Sequence, residues 1–213
     1  MATLELTFRP ASPDDAPFVV PLMHAIGQRD LDRLFTGLVP GHQPRDVVTR
    51  FYLAEGGMFS WRSTEVALVE GAQAGFITSY QTASPQGSTT WLARATAKLG
   101  VRALLLLAWR GAQAAGAIRP HEAGSWYIAF VGVSPGQRSL GIGSALIGRS
   151  IQAARALGCS CVELDVNVDN PRAQSLYEQL GFRVSLARQH RESSPVAPTR
   201  RMVLRLPSSG PPG

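Results

Sequence analysis

Residues 125–168 read as strand, glycine turn, helix and strand in one uninterrupted unit, and this unit dictates a parallel strand pair. Residues 125–133 form an apolar, β-branched and aromatic run, and residues 161–168 form another. Between them Ile142, Ala145, Leu146, Ala153 and Leu157 recur at helical spacing, and Gly158 suits the helix's C-terminal cap. Two strands joined by a crossover helix pair in parallel with a right-handed connection. The join at residues 131–143 holds Gly141 and Gly143 just where the helix begins. Such a turn gathers backbone N–H groups at the positive end of a helix, where phosphate or pyrophosphate binds. The pattern Arg138-x-x-Gly141-x-Gly143 is neither a Rossmann fingerprint nor a P-loop, since the third glycine and the Gly-Lys-Ser/Thr are both missing. Taken alone, it fits a ligand-free helix start equally well.

The rest of the chain extends this unit on both sides. Residues 4–9 alternate as a first strand. Pro10 ends it, and Ser12, Pro13, Asp14 and Asp15 start a helix expected to reach about residue 28. A second helix is expected over 44–53. Strands at 66–70 and 75–80 form a hairpin through residues 71–74. Residues 83–90 read as a loop, and 91–118 as one or two helices around Gly100. Asn170 and Pro171 open another helix, by an N-cap and a first-turn proline. Its apolar stripe is Ala173, Leu176, Tyr177 and Leu180, and Gly181 ends it. Strands at 182–187 and 201–206 follow, with a mobile loop expected at 189–200 and a disordered tail at 207–213. At 213 residues and 45% hydrophobic content the chain can bury one good core. The expectation is a single mixed α/β domain over 1–206 with a helical insertion at about 84–123.

Composition narrows the function classes. The net charge is +6, and Lys98 is the only lysine among 21 basic residues. The arginines are scattered, whereas a nucleic-acid groove calls for a concentrated basic stripe with interleaved aromatics. Nucleic acid is therefore not expected as a partner, although the positive field favours an anionic ligand. Cys159 and Cys161 are too close in sequence for an ordinary disulfide and lack a second pair for a zinc site. They read as small core residues sharing one strand face in a reducing compartment, and no metal is expected. The longest apolar run, residues 103–109, is too short to span a bilayer. With no signal pattern at the N-terminus, the expected location is the cytoplasm, away from membranes.

A second motif, Asn170-x-x-Ala173-x-x-Leu176-Tyr177-x-x-x-Gly181-Phe182, follows the glycine turn by about thirty residues. Together with Val133-x-Pro135-x-x-Arg138-x-x-Gly141-x-Gly143, it strongly resembles the acetyl-CoA-dependent N-acetyltransferases of the GNAT superfamily. The opening from Arg9-Pro10 to Asp14-Asp15 looks similar too. The resemblance is sharp over residues 125–182 and leaves 84–123 unexplained. It implies a strongly twisted, mixed sheet of six to seven strands flanked by helices, whose parallel central strands splay apart.

The resemblance also implies roles. Arg138, Ser139, Gly141, Gly143 and Ser144 would cradle the CoA pyrophosphate; Ser139 stands where the family often has glycine, and Leu140 where a polar residue is common. Val131, Gly132 and Val133 would pair by main chain with the pantetheine arm, and Asn170 would contact it. A backbone N–H near Val131 would face the oxyanion. Tyr177 matches the general-acid tyrosine beside the CoA sulfur, the reading the surrounding motif favours; the alternative is an ordinary core tyrosine on the apolar stripe. The strand 125–133 carries no carboxylate. Asp165, five residues before Asn170, stands where one branch of the family has a catalytic glutamate, and otherwise reads as a solvated strand-end residue. His121 and Glu122 are the next candidates for the base. The implied reaction is acetyl transfer from acetyl-CoA to a protein N-terminus, lysine or small amine by direct attack in a ternary complex. A catalytically weak acyl-CoA-binding regulatory module is the alternative. The insertion is expected to shape the acceptor pocket or a homodimer interface.

Overall fold

The computed structural model describes residues 5–82, 99–115, 120–187 and 198–207. The seven strands among the described residues are β1 (Leu6–Pro10), β2 (Thr64–Val69), β3 (Ala72–Gln81), β4 (Trp126–Val133), β5 (Cys161–Asn167), β6 (Arg183–Ala187) and β7 (Thr199–Arg205). They form one mixed sheet in the order β1-β2-β3-β4-β5-β7-β6. Among the described strands only β4 and β5 pair in parallel. The described helices are α1 (Ala16–Phe35), α2 (Pro44–Tyr52), α3 (Val101–Ala115), α4 (Ile142–Ala156) and α5 (Pro171–Gln179). None of them is long and apolar enough to cross a membrane.

The period-two alternation of the strands builds a core on each face. On one side Ile128, Val162, Leu164, Val166 and Met202 pack with Leu146, Ile147 and Ile151 of α4 and with Tyr177 and Phe182. On the other, Val66, Phe76 and Phe130 pack with Val19, Val20, Met23, Leu31 and Phe35 of α1 and with Val47, Val48 and Phe51 of α2. Phe59 joins these layers, its ring centroid 5.8 Å from that of Phe51 and 5.4 Å from that of Phe130.

β4 is irregular along both of its edges. Thr78 pairs with Phe130 and Ser79 with Ile128, so Ala129 is an extra residue in the strand. Such a bulge leaves a residue out of the ladder and bends the strand. On the other edge β4 meets β5 at only three positions, Trp126↔Val162, Tyr127↔Glu163 and Ile128↔Leu164. Beyond Ile128 the strands part, giving the splay implied by the resemblance.

Several boundaries differ from those expected from sequence. α1 kinks at Gly27 (φ −103°, ψ 16°) and continues to Phe35, because Leu31 and Phe35 gain burial in the second core. The hairpin turns on Glu70 and Gly71, with φ of 51° and 78°. Positive φ at both central residues is the mirror-image turn that matches strand twist, so residues 72–74 belong to β3. Cys159 packs in the α4-side core, while Cys161 lies on the opposite face with Sγ 3.8 Å from Glu122. The two cysteines therefore do not share one strand face; Cys159 precedes β5. β7 lies between β5 and β6. α3 splits the leucine run: Leu106 and Leu107 pack against the second core, while Leu104 and Leu105 stay exposed. Arg110 ties α3 to the end of α1, donating to the carbonyls of Leu34 (2.6 Å) and Thr36 (3.0 Å). The loop expected at 83–90, the first part of the 91–118 helix, most of the 189–200 loop and the tail beyond 207 fall outside the described residues.

Candidate active site

Where β4 and β5 part, a cavity of about 840 Å³ opens. Its walls are Leu22, Ala25 and Ile26 of α1, the end of β4 and residues 137–139 and 141–144 of the glycine turn with the start of α4. Asn170 and the inward side of α5 complete it. Val131, Gly132, Val133, Arg138, Ser139, Gly141, Gly143, Ser144, Asn170 and Tyr177 all line this space.

The turn is built to leave donors unpaired. Its base is fixed by Ser134 N–H to the Ala74 carbonyl and Gln137 N–H to the Ser134 carbonyl, both 2.9 Å. The first helical bond runs from Ala145 N–H to Gly141 C=O, 3.0 Å. Between these anchors, no N–H from residue 138 to 144 has a partner among the described residues. Gly141 caps α4 with φ 78°, a left-handed conformation that costs little only for glycine. Ser139 adopts φ 69° and is not glycine; Arg172 donates to its Oγ at 3.0 Å. The side chain of Arg138 reaches the Val133 carbonyl at 3.4 Å. The unpaired N–H groups thus lie at the N-terminus of a fifteen-residue helix, with Arg138 and Arg172 beside them.

Asn170 and Tyr177 form the opposite wall. The Asn170 Oδ1 accepts from Ala173 N–H at 3.1 Å and caps α5, which leaves its amide NH₂ for the cavity. Tyr177 follows on the first core's edge, buried, with its ring 6.0 Å from that of Phe182. Burial pushes its phenol up to about 12.

Asp165 is placed otherwise. It is not among the lining residues and lies on the α1-facing side of β5, the first position beyond the last β4–β5 pair. Both carboxylate oxygens accept from Arg201, Nε to Oδ1 at 3.2 Å and Nη2 to Oδ2 at 2.9 Å. The Tyr127 hydroxyl also donates to Oδ2, at 3.2 Å. Burial first, and the nearby Asp165 charge second, push the Tyr127 phenol well above its ordinary value, so it remains a donor.

Two residues that sequence reasoning missed, Glu163 and Arg201, complete this polar face. Glu163 is 1% exposed; its Oε2 meets His121 Nδ1 at 2.8 Å and its Oε1 accepts Glu122 N–H at 3.2 Å. Arg201 Nη1 lies 3.8 Å away and also donates to the Pro120 carbonyl. Burial raises the Glu163 carboxyl, yet His121, the Glu122 N–H and Arg201 together hold it below its ordinary value. Glu122 itself is engaged by Arg205. The signal in the sequence was two carboxylates at 163 and 165, spaced to share the polar side of a buried strand. Their partners lie 36 and 42 residues away.

Comparison with known proteins agrees with this architecture. The model of the acetyltransferase (GNAT) family matches residues 66–182. Over 61 residues the chain is 43% identical to mycothiol acetyltransferase of Beutenbergia cavernae; the match spans 29% of this chain and 20% of that protein. Among solved structures, an N-acetyltransferase from Staphylococcus aureus Mu50 superposes with a TM-score of 0.68 at 16% identity, over 93% of this chain and 100% of its own. The Salmonella typhimurium protein yncA, solved with its cofactor acetyl-CoA, superposes with a TM-score of 0.54 at 16% identity, over 98% of both chains. At such identities the structural likeness is one of fold.

Proposed function

The chain belongs to the GNAT acetyltransferase family, and from that premise we propose that it moves an acetyl group from acetyl-CoA to a primary amine by direct attack. The observation that carries the proposal is one cavity holding both the unpaired N–H cradle of residues 138–144 and the Tyr177 hydroxyl side. The cradle fits a pyrophosphate on three counts: free donors, the positive helix end, and Arg138 and Arg172 alongside. It also has room, since a Cβ on Gly143 would have no neighbour closer than Val133 Cγ2 at 3.8 Å.

When bound, acetyl-CoA supplies an activated carbonyl; the protein's residues hold it and manage protons. The exposed edge of β4 beyond Ile128 offers main-chain groups to an extended pantetheine arm, as a sheet edge accepts another strand. The bulge leaves Ala129 out of the β3–β4 ladder, and a backbone N–H of this stretch is the donor proposed for a developing oxyanion. Tyr177, near 12, keeps its proton throughout the neutral range. A thiol titrates near ~8.5, so outright transfer from this tyrosine is uphill. Tyr177 therefore stabilises the leaving sulfur first as a hydrogen-bond donor, and gives up its proton only as the attacking nitrogen's own proton replaces it. The amine must arrive deprotonated, although an alkyl ammonium titrates near ~10, so the site needs a proton acceptor.

One observation favours binding without turnover: β4 has no carboxylate, and Asp165 is engaged by Arg201. The two readings separate in one experiment. Thiol release from acetyl-CoA is followed with spermidine, agmatine and tripeptides with free N-terminal alanine or serine, alongside calorimetric titration with acetyl-CoA. Acetyl transfer predicts amine-dependent thiol release that Gly143→Glu abolishes together with binding. Binding with no turnover on any acceptor gives the regulatory module instead. Glutamate in the first turn favours the helix, so this variant should fold normally, and unaltered acetyl-CoA affinity would refute the cradle's role.

A further inference from the structure

The buried carboxylate of Glu163 has no part in holding acetyl-CoA or in protonating its sulfur, and it faces a histidine beside the point where the strands separate. We propose that His121, held in one tautomer by Glu163, accepts the proton that the amine must lose, with Glu163 as its positioning residue. This rests on the acetyl-transfer reading.

The tautomer follows from the hydrogen bonds. Glu163 is held below its ordinary value, so it is ionised at neutral pH and can only accept. The Nδ1 of His121, 2.8 Å from Oε2, must therefore carry hydrogen. In a neutral imidazole that leaves the lone pair on Nε2. No described residue bonds to Nε2, and the side chain is 27% exposed. Position supports the role. The imidazole lies 4.3 Å, ring to ring, from Tyr127. Tyr127 pairs with Glu163 one residue before the last paired position, Ile128↔Leu164. A strand step is about 3.3 Å, so the histidine borders the closed end of the opening; like Asp165 it is not itself among the residues lining the cavity, and the proposed transfer runs through water. Asp165 is the poorer acceptor because Arg201 occupies both its oxygens.

The protons balance. The ammonium gives one proton, through water, to His121 Nε2, and the resulting imidazolium lies against the Glu163 charge. The amine nitrogen then bonds to the carbonyl carbon and the carbon–sulfur bond breaks. The sulfur takes its proton from Tyr177, and the second nitrogen proton restores that tyrosine. His121 returns its proton to solvent, so one proton is released per turnover. Among the described residues the titratable and charged groups around His121 are Glu122 on its own segment, Tyr80 on β3 and Tyr127 on β4. Cys161, Glu163 and Asp165 on β5 and Arg201 and Arg205 on β7 complete the set.

Two readouts test the proposal. Long-range ¹H–¹⁵N spectra of the histidine-labelled full chain, assigned with His121→Asn, report the tautomer without any substrate. The expected result is the Nδ1–H form in the wild type, mixed populations in Glu163→Gln, and an unchanged form in Asp165→Asn. Kinetics with the best acceptor of the amine panel should show kcat/KM down about 100-fold in His121→Asn. The acidic limb of its pH profile should disappear, and the acetyl-CoA Kd should be unchanged. Glu163→Gln should shift that limb. An Nε2–H tautomer in the wild type, or an acidic limb unmoved in His121→Asn, overturns the proposal. If acetyl-CoA binds but no amine of the panel reacts, the regulatory-module reading holds and this proposal falls whatever the tautomer. A wild-type chain that fails to bind acetyl-CoA would instead sink the acetyl-transfer reading.

Discussion

Tyr177 carries the sharpest single-residue consequence. Its hydroxyl has no hydrogen bond to any described residue, and its ring packs by the first core. Tyr177→Phe should keep the fold and the acetyl-CoA affinity while lowering kcat roughly 100-fold, the scale of a lost proton donor. Stopped-flow thiol release beside calorimetric binding checks this, and an unaltered kcat would return Tyr177 to the role of a core residue. Asn170 serves two places at once: its Oδ1 caps α5 and the residue lies in the cavity wall. Gly132 is fixed by space. A Cβ there would lie 2.6 Å from Phe76 Cε1, a fully buried ring.

Among the elements, the entry to α1 depends on one buried charge. Asp15 is 2% exposed, bonded by Arg9 at 2.6 and 2.8 Å, by Ser12 N–H at 2.7 Å and by Gln73 of β3. The Arg9 bond is the largest of the causes that bring its carboxyl down from 3.8 to about 2. A carboxyl depressed in the folded state contributes stability that is complete above its unfolded value. That contribution fades as pH falls through the folded value. Asp15→Asn should therefore lower stability at pH 7 by on the order of 2 kcal/mol. It should also flatten the loss of stability between about pH 4 and 2. Urea unfolding at stepped pH measures both, and an unchanged acid limb would contradict this role of Asp15 at the α1 entry.

The elements also mark what the sequence could disclose. The strand–turn–helix at 131–143 and the capped helix at Asn170 were legible because caps, glycine turns and apolar stripes act within a few residues. Every residue assigned to the cradle from sequence lines the cavity. The continuation of α1 past Gly27 was hidden, since tertiary burial of Leu31 and Phe35 outweighs a local helix breaker. So were the β4 bulge and the engagement of Asp165 by Arg201. Both depend on which strands become neighbours, and the insertion of β7 between β5 and β6 decides the second.

At the scale of the whole molecule, the parting of β4 and β5 is the organising fact. Three rungs of parallel pairing hold the sheet together; beyond them lie the cavity, the cradle and Tyr177 on one side of the opening. The polar face of Glu163, Asp165, Arg201 and His121 borders its closed end. α1 and α2 cover one face through the aromatic cluster, and α4 and α5 cover the other. Rigid cores on both faces thus support an edge whose backbone groups are left unpaired. The net charge of +6 favours a polyanionic donor substrate at long range.

The most direct test of acetyl-CoA binding in this opening is a crystal structure of the full chain with the thioester bound. Pyrophosphate oxygens should lie within hydrogen-bond distance of backbone N–H groups of residues 138–144. The pantetheine should run alongside residues 131–133, with the thioester sulfur near the Tyr177 hydroxyl. A pyrophosphate bound away from the N-terminus of α4, or a thioester outside the opening between β4 and β5, would contradict this placement.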